Sequence, residues 1–299
     1  MKRVCRARRL AAPAAPWSLG TCDDIGVDSL RYVTVPVTTL WTSPTAPREV
    51  DSWAVAPQPD VVAWLADLDA AEARPGLHGR MLTQLELGEP VHVTGRLDGS
   101  TKRPTSSTGP TGGPGADGWL EVAAPMQPSS RDARGYPGWV LTGHLSAQVP
   151  DRSPLSPPAD SLDDGAGARA FLAAARSHLG LPYLWGGMCD RGLDCSGLVH
   201  LCLRRLGVIV PRDAEDQYDA CEHIPADEAH PGDLFFFAHE GGRPHHVGIV
   251  TGPGCMLHAP ETGSLIVEEP LTPARRDSLV GAGRLSSLWP QVSPSEPKP

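Results

Sequence analysis

Apolar positions change their period near the middle of the chain. Over the first half they come in short runs. Leu30 to Leu40 is dense in Val and Thr and predicts one or two strands, and Met81 to Leu87 and Pro90 to Gly95 predict two more. Trp119-Leu120-Glu121-Val122 and Gly135-Tyr136-Pro137-Gly138-Trp139-Val140 resume this texture, each with a tryptophan following glycine at a turn. Between Leu40 and Met81, Val61 to Ala73 has apolar residues at 61, 62, 65 and 68 with acids opposite, the signature of an inserted helix. Short strands, tight turns and paired tryptophans predict a small β-barrel over residues 28–148.

The second half reads differently. Gly165 to Gly180 is alanine-rich and predicts a helix. Leu198, Cys202 and Leu206 then repeat at the spacing of one buried helical face, while Pro182, Gly186, Gly187 and Gly192 keep residues 182–193 out of helix. A helix therefore begins near Asp194 and ends before Gly207, with Arg204 and Arg205 in its last turn. Beyond it, Asp233 to Ala238, Val247 to Thr251, Cys255 to Ala259 and Leu265 to Glu268 are short apolar runs broken by Gly, Pro and charges, which predict an antiparallel sheet. Residues 1–27 read as a disordered lead-in, 99–118 as a flexible Gly/Pro/Ser/Thr loop, 149–164 as a proline-rich linker and 290–299 as a tail. The peptide chain thus divides into a β domain and an α+β domain over 165–289.

Candidate chemistry begins at Cys195, in the first turn of the helix that follows Asp194. Unpaired amides and the positive end of the helix dipole favour an anion there, lowering a thiol pKa from about 8.5 toward neutrality. Most cysteines outside disulfides are small buried residues, and Cys202, one helical face along, fits that description better. Two strands carry partners: His246 at the start of one run and His258 near the end of the next. Adjacent antiparallel strands can bring the two together, giving nucleophile, base and orienting group in the order Cys195, His246, His258. Cys189 and Cys195 are six apart, without the short hook of structural zinc sites, so no metal or other cofactor is expected.

Charge and cysteine content narrow the partners. A net charge of −9 argues against a nucleic-acid surface, the basic start from Met1 to Arg9 being a short exception. No stretch has the length of a membrane span. Seven cysteines cannot all pair within one chain and show no compact disulfide framework. Leu10 to Leu19 is a weak hydrophobic region interrupted by Pro13 and Pro16. Both features favour a cytoplasmic setting and leave export open.

Pro182-Tyr183-x-Trp185-Gly186-Gly187, Asp194-Cys195-Ser196-Gly197-Leu198-Val199, Gly232-Asp233-Leu234, His246-Val247-Gly248-Ile249 and His258-Ala259 together resemble the NlpC/P60 family of cell-wall cysteine peptidases, over about residues 166–271. The resemblance implies a papain-like α+β fold and hydrolysis of amide bonds in peptidoglycan stem peptides, commonly from γ-D-glutamate to a diamino acid. Cys195, His246 and His258 match the family triad. Tyr183 matches the tyrosine beside the thiol, with a core aromatic as its bland alternative. Asp194 and Ser196 flank the nucleophile where members contact substrate. Arg212-Asp213-Ala214 matches a second substrate-contacting turn, with Asp213 and Ala214 at the contact, although members often carry a hydroxyl where Ala214 stands.

Leu87-Gly88-Glu89-Pro90-Val91, Gly118-Trp119 and the 135–140 run resemble bacterial SH3-like domains, enlarged here by the helix and the loop. A barrel first and a peptidase last is the layout of members that remove L-alanyl-γ-D-glutamate from free murein peptides, in which the barrel closes one end of the cleft and recognises the L-alanine amine. Glu86 is the candidate carboxylate for that amine, with Tyr136 as a partner. Glu89 and an acid on an exposed strand face are its alternatives. Two other functions compete: an exported remodelling endopeptidase whose barrel binds the wall, and a non-catalytic wall-binding protein, against which the complete triad argues.

Overall fold

The computed structural model describes residues 29–96, 118–151 and 166–285. The lead-in at 1–27, most of the loop at 99–118, the linker beyond Asp151 and the tail at 290–299 lie outside them. The chain forms two compact units, one holding the β-rich N-terminal region together with Tyr183–Asp194, the other holding the chain from Cys195 onward together with the helix before Pro182.

In the β-rich unit, β1 (Leu30–Val33), β2 (Val37–Trp41), β3 (Met81–Glu86), β4 (Pro90–Arg96), β5 (Trp119–Ala124), β6 (Tyr136–Leu141) and β7 (Leu145–Ser146) form one sheet in the order β3-β2-β6-β5-β4-β1-β7. All pairings are antiparallel. Side chains alternate across a strand, and here both faces are covered. Leu120, Val122, Tyr136 and Val140 enter one cluster with Val33, Leu40 and Leu85. Trp119, Leu141 and Trp41 enter another, beneath α1 (Val61–Ala70). A sheet packed on both faces needs apolar residues at successive positions, which is why these strands read as runs. The arrangement is consistent with an enlarged SH3-like domain.

Asp60 starts α1 by accepting from the amides of Val62 and Ala63 at 2.9 and 3.0 Å. The buried stripe is Val61, Trp64, Leu65 and Leu68, whereas Val62 is 58% exposed. Apolar spacing alone puts Val62 on the buried face; Trp64 takes its place because its indole donates to buried Asp51, which also pairs with Arg48.

The segment before Cys195 belongs with this sheet. It contains the hairpin β8 (Met188–Cys189) and β9 (Gly192–Leu193). Met188 N donates to Gln84 Oε1 at 3.1 Å, Trp185 Nε1 to the Met81 carbonyl at 3.1 Å, and Arg74 Nη1 to the Tyr183 carbonyl at 2.8 Å. Gly187 is required by close approach, since a Cβ there would lie 2.4 Å from the Gly192 carbonyl oxygen.

The second unit opens with α2 (Ala166–Arg176), which packs on α3 (Cys195–Arg205). After α4 (Ala214–Ala220) come β10 (Glu222–Ile224), β11 (Leu234–Phe237), β12 (His246–Gly252), β13 (Cys255–His258) and β14 (Val267–Pro270). The chain then runs through α5 (Pro273–Ser278) to β15 (Leu279–Arg284). The sheet order is β10-β15-β11-β12-β13-β14, antiparallel throughout. The four runs expected from the sequence form its contiguous part. The last strand enters between β10 and β11, held by Arg284, whose guanidinium donates to buried Asp233 at 2.7 and 3.0 Å. Asp233 of the Gly-Asp-Leu motif is thus a fastening of the sheet.

Candidate active site

Cys195 is the first residue of α3, 8% exposed. Two partners on the α4 side hold this helix end. Arg212, itself buried, donates from Nη1 to Ser196 Oγ at 2.9 Å, and Gln217 Nε2 donates to the Ser196 carbonyl at 3.0 Å and the Pro211 carbonyl at 2.9 Å. His200 fixes the middle of the helix, donating from Nδ1 to the Val210 carbonyl at 2.8 Å. The first turn, where dipole and unpaired amides favour thiolate, is therefore anchored by side chains from the segment that contains Asp213, the N-cap of α4, and Ala214, its first residue.

Helix α3 packs against β12, the strand that starts at His246. Within the β12–β13 hairpin, Ile249 pairs with Leu257 and Val250 with Met256. Continued by one step, that register sets His258 beside Gly248, and His246 on the same face one diagonal step away. The two rings meet as expected: His246 Nε2 lies 2.8 Å from His258 Nδ1. Gly248 is what makes room, because a Cβ there would meet Met256 Sδ at 2.5 Å and His258 Cβ at 3.4 Å.

Burial pushes His246 well below the ordinary imidazole value, aided by Arg275, His258 and His245. Burial also lowers His258, against the opposing pull of Glu269. A neutral imidazole at physiological pH can accept a thiol proton, which a charged one cannot. His245, next in sequence, stacks on His239 and lies outside the His246–His258 hydrogen bond.

The remaining candidates lie in the β-rich unit. Asp194 Oδ2 accepts from the Gly186 amide at 2.8 Å. Tyr183 pairs with Leu193 and is buried. Glu86 ends β3 and is buried, so it is not an acid on an exposed strand face. Tyr136 is buried with Arg131 over its ring at 5.2 Å. Glu89 holds the turn together, its carboxylate accepting from the Glu86 amide at 3.1 Å and from Gln127 Nε2 at 2.8 Å. No group of metal-ligating residues occurs among the described residues, and no helix among them is long and apolar enough to cross a membrane.

Residues 180–284 match the family model described as NlpC/P60 family. The similarity extends well beyond that stretch. A gamma-D-glutamyl-L-lysine dipeptidyl-peptidase of Bacillus subtilis (strain 168) is 30% identical over 79% of this chain and 92% of that relative. The chain belongs to the NlpC/P60 family. It is a cysteine peptidase of that family, and its two units share the fold of a solved NlpC/P60 protein from Bacillus cereus ATCC 10987, with a TM-score of 0.71 and 23% identity over 86% of this chain and 99% of that one. The peptidoglycan endopeptidase RipB of Mycobacterium tuberculosis (strain ATCC 25618 / H37Rv) is 37% identical over only 34% of this chain and 47% of its own length.

Glu269, Gln217 and Arg275, which act on the candidate residues through a hydrogen bond to His258, a hydrogen bond to the Ser196 carbonyl and a positive charge near both rings, were missed by sequence reasoning. Glu269 carried a weak signal, as it directly follows the last predicted strand, which stops at Glu268, but only the pairing register says which acid faces the histidines.

The peptidase's buried histidines also set an acid limit on its stability. Burial is the largest cause holding His144, His200 and His246 below their ordinary value. The unfolded chain binds protons that the folded one refuses, so this contribution is present in full above about pH 6.5 and is lost as pH falls below it. The denaturant midpoint should drop between pH 7.5 and pH 5, before most carboxylates titrate. A flat midpoint across that window would refute this.

Proposed function

We propose that the enzyme hydrolyses the γ-D-glutamyl–diamino acid bond of murein stem peptides, releasing L-Ala-γ-D-Glu from free peptides with an unblocked N-terminal L-alanine. The observation that carries this reading is the length of the likeness. The dipeptidyl-peptidase relative matches through both units, whereas the endopeptidase relative matches about a third of the chain. Selection of a dipeptide end is thus assigned to the β-rich unit and the cutting to the other.

In this proposal Cys195 is the nucleophile, His246 the base and His258 its orienter. His246 takes the thiol proton, the thiolate attacks the γ-glutamyl carbonyl, and the tetrahedral adduct collapses as the protonated imidazole gives its proton to the leaving amine. Water, deprotonated by His246, then cleaves the thioester and regenerates the thiol. Tyr183, Asp194, Ser196, Asp213 and Ala214 are assigned to substrate contact.

Glu86 is assigned to the substrate ammonium, with Tyr136 as its partner in the recognition. A desolvated cation without a partner costs several kcal/mol, and Glu86 is a buried carboxylate whose strand is hydrogen-bonded to the segment that leads directly into Cys195. Glu86→Gln should raise KM for the free-amine peptide and narrow the gap between free and N-acetylated substrates, while leaving Cys195 as readily alkylated as before.

The deciding assay incubates the enzyme with L-Ala-γ-D-Glu-diamino acid peptides, free and N-acetylated, and with intact peptidoglycan. Cleavage of the free peptide alone supports the proposal. Equal cleavage of acetylated or polymeric substrate overturns it in favour of wall remodelling. We infer a reducing compartment from the cysteine count and spacing, which show no compact disulfide framework; cell fractionation tests that assignment.

A further inference from the structure

The histidine pair continues onto a third strand. His258 Nε2 lies 3.1 Å from Glu269 Oε1. The β13–β14 register sets His258 opposite Val267 and Met256 opposite Glu269. Residues two apart share a face, so Glu269 is the diagonal neighbour of His258, as His246 is on the other side. The preceding residue, Glu268, points the opposite way and takes the guanidinium of Arg176 at 2.8 and 2.9 Å. His258 is 1% exposed, and the Glu269 side chain is 40% exposed.

We propose that Glu269 is a positioning residue for the peptidase reaction: acting through His258, its carboxylate sets the tautomer of both rings and leaves the lone pair of His246 Nδ1 for the Cys195 proton. This rests on the assignment of Cys195, His246 and His258 given above.

Counting protons along the line gives one arrangement. An ionised carboxylate only accepts hydrogen bonds, so the proton between Glu269 and His258 sits on His258 Nε2. A neutral imidazole carries one N–H, which leaves His258 Nδ1 as an acceptor. Its partner at 2.8 Å, His246 Nε2, must then donate. Neutral His246 so carries its proton on Nε2 and keeps Nδ1 bare. In the opposite arrangement His258 Nδ1 would donate, the His246 proton would move to Nδ1, and that atom could take nothing from a thiol. The carboxylate permits only the first arrangement. It also opposes the positive groups around the pair: Arg275 of α5 disfavours a charge on both rings, and His245 disfavours one on His246.

The test compares Glu269→Ala, Glu269→Gln and Glu268→Gln in the full chain. Steady-state kinetics on the free peptide are read beside the ¹⁵N shifts of the histidine rings at pH 8. Wild type should show both His246 and His258 as Nε2–H tautomers. Glu269→Ala should mix the tautomers and lower kcat about 10- to 100-fold with little change in KM, less than the ~10⁴-fold lost where a mis-set tautomer lies directly on the base. Glu269→Gln, whose carbonyl can still accept, should fall between the two. Glu268→Gln should keep wild-type kcat and tautomers. Unchanged kcat in Glu269→Ala overturns the proposal, and so does a loss of kcat with both tautomers intact. If Cys195→Ala and His246→Ala are inactive while Glu269→Ala is not, only this proposal fails. Activity in His246→Ala would overturn the underlying assignment as well.

Discussion

Cys195→Ala should fold like the wild type and show no measurable turnover. The side chain is small and its α3 position is held by Ser196, Arg212 and Gln217, none of which the substitution touches. Its cost in stability should stay near the ordinary ~1 kcal/mol of a single replacement. Its cost in rate has no such limit, because the acyl intermediate needs sulfur; losses on the order of 10⁴-fold or more are expected. Thiol labelling sharpens the test. Burial pushes the Cys189 thiol up to about 11 and Cys221 up to about 12, so neither supplies appreciable thiolate near neutral pH. Substoichiometric iodoacetamide should therefore modify Cys195 in preference to these two, with inactivation in step, as peptide mass spectrometry would record. Near-normal activity in Cys195→Ala, or inactivation that follows Cys189 or Cys202, would reject the assignment.

His246→Ala should be the next most damaging change, and it should cost more than His258→Ala. Acid–base assistance contributes about 10²–10⁴-fold, and in the proposed mechanism His246 performs both transfers while His258 holds the ring. Both side chains are buried, so each alanine leaves a void and an unmet hydrogen bond on its neighbour. Parallel His→Gln variants, with circular dichroism and Cys195 alkylation as folding controls, separate lost chemistry from lost structure. Single-turnover acylation should slow most in the His246 variants, and equal rates in His246→Gln and wild type would end its role as base.

Local order in the sequence carried α3. Apolar spacing, the glycines before it and Gly207 after it are all within a few residues of α3, and helix formation is decided at that range. The same holds for the two histidines: β12 and β13 are joined by a two-residue turn, Pro253-Gly254, so their approach is settled by one hairpin. The family motifs are of this kind, which is why the peptidase class was legible at once.

Longer-range pairings were not legible. Strand β15 enters the sheet beside β11 after the chain has passed through three other strands and α5, and its anchor joins Arg284 to Asp233. Whether Glu268 or Glu269 meets His258 is a matter of one residue in register, and a slip of one exchanges the faces of a strand. Glu86 and Glu89 look alike as two acids around a Leu-Gly turn; only the fold assigns Glu89 to the Glu86 amide and Gln127.

Periodicity and short turns, both written in neighbouring residues, were enough for the Cys195 helix, the histidine hairpin and the order of a β-rich region before an α+β one. Three outcomes needed the folded chain: Tyr183–Asp194 pairs with the β-rich unit, both faces of that unit's sheet are covered, and Glu269 completes a line across three strands. The first two depend on contacts between residues far apart in the chain, where no local pattern records which partner will be met, and the third depends on the β13–β14 register, which a slip of one residue would change.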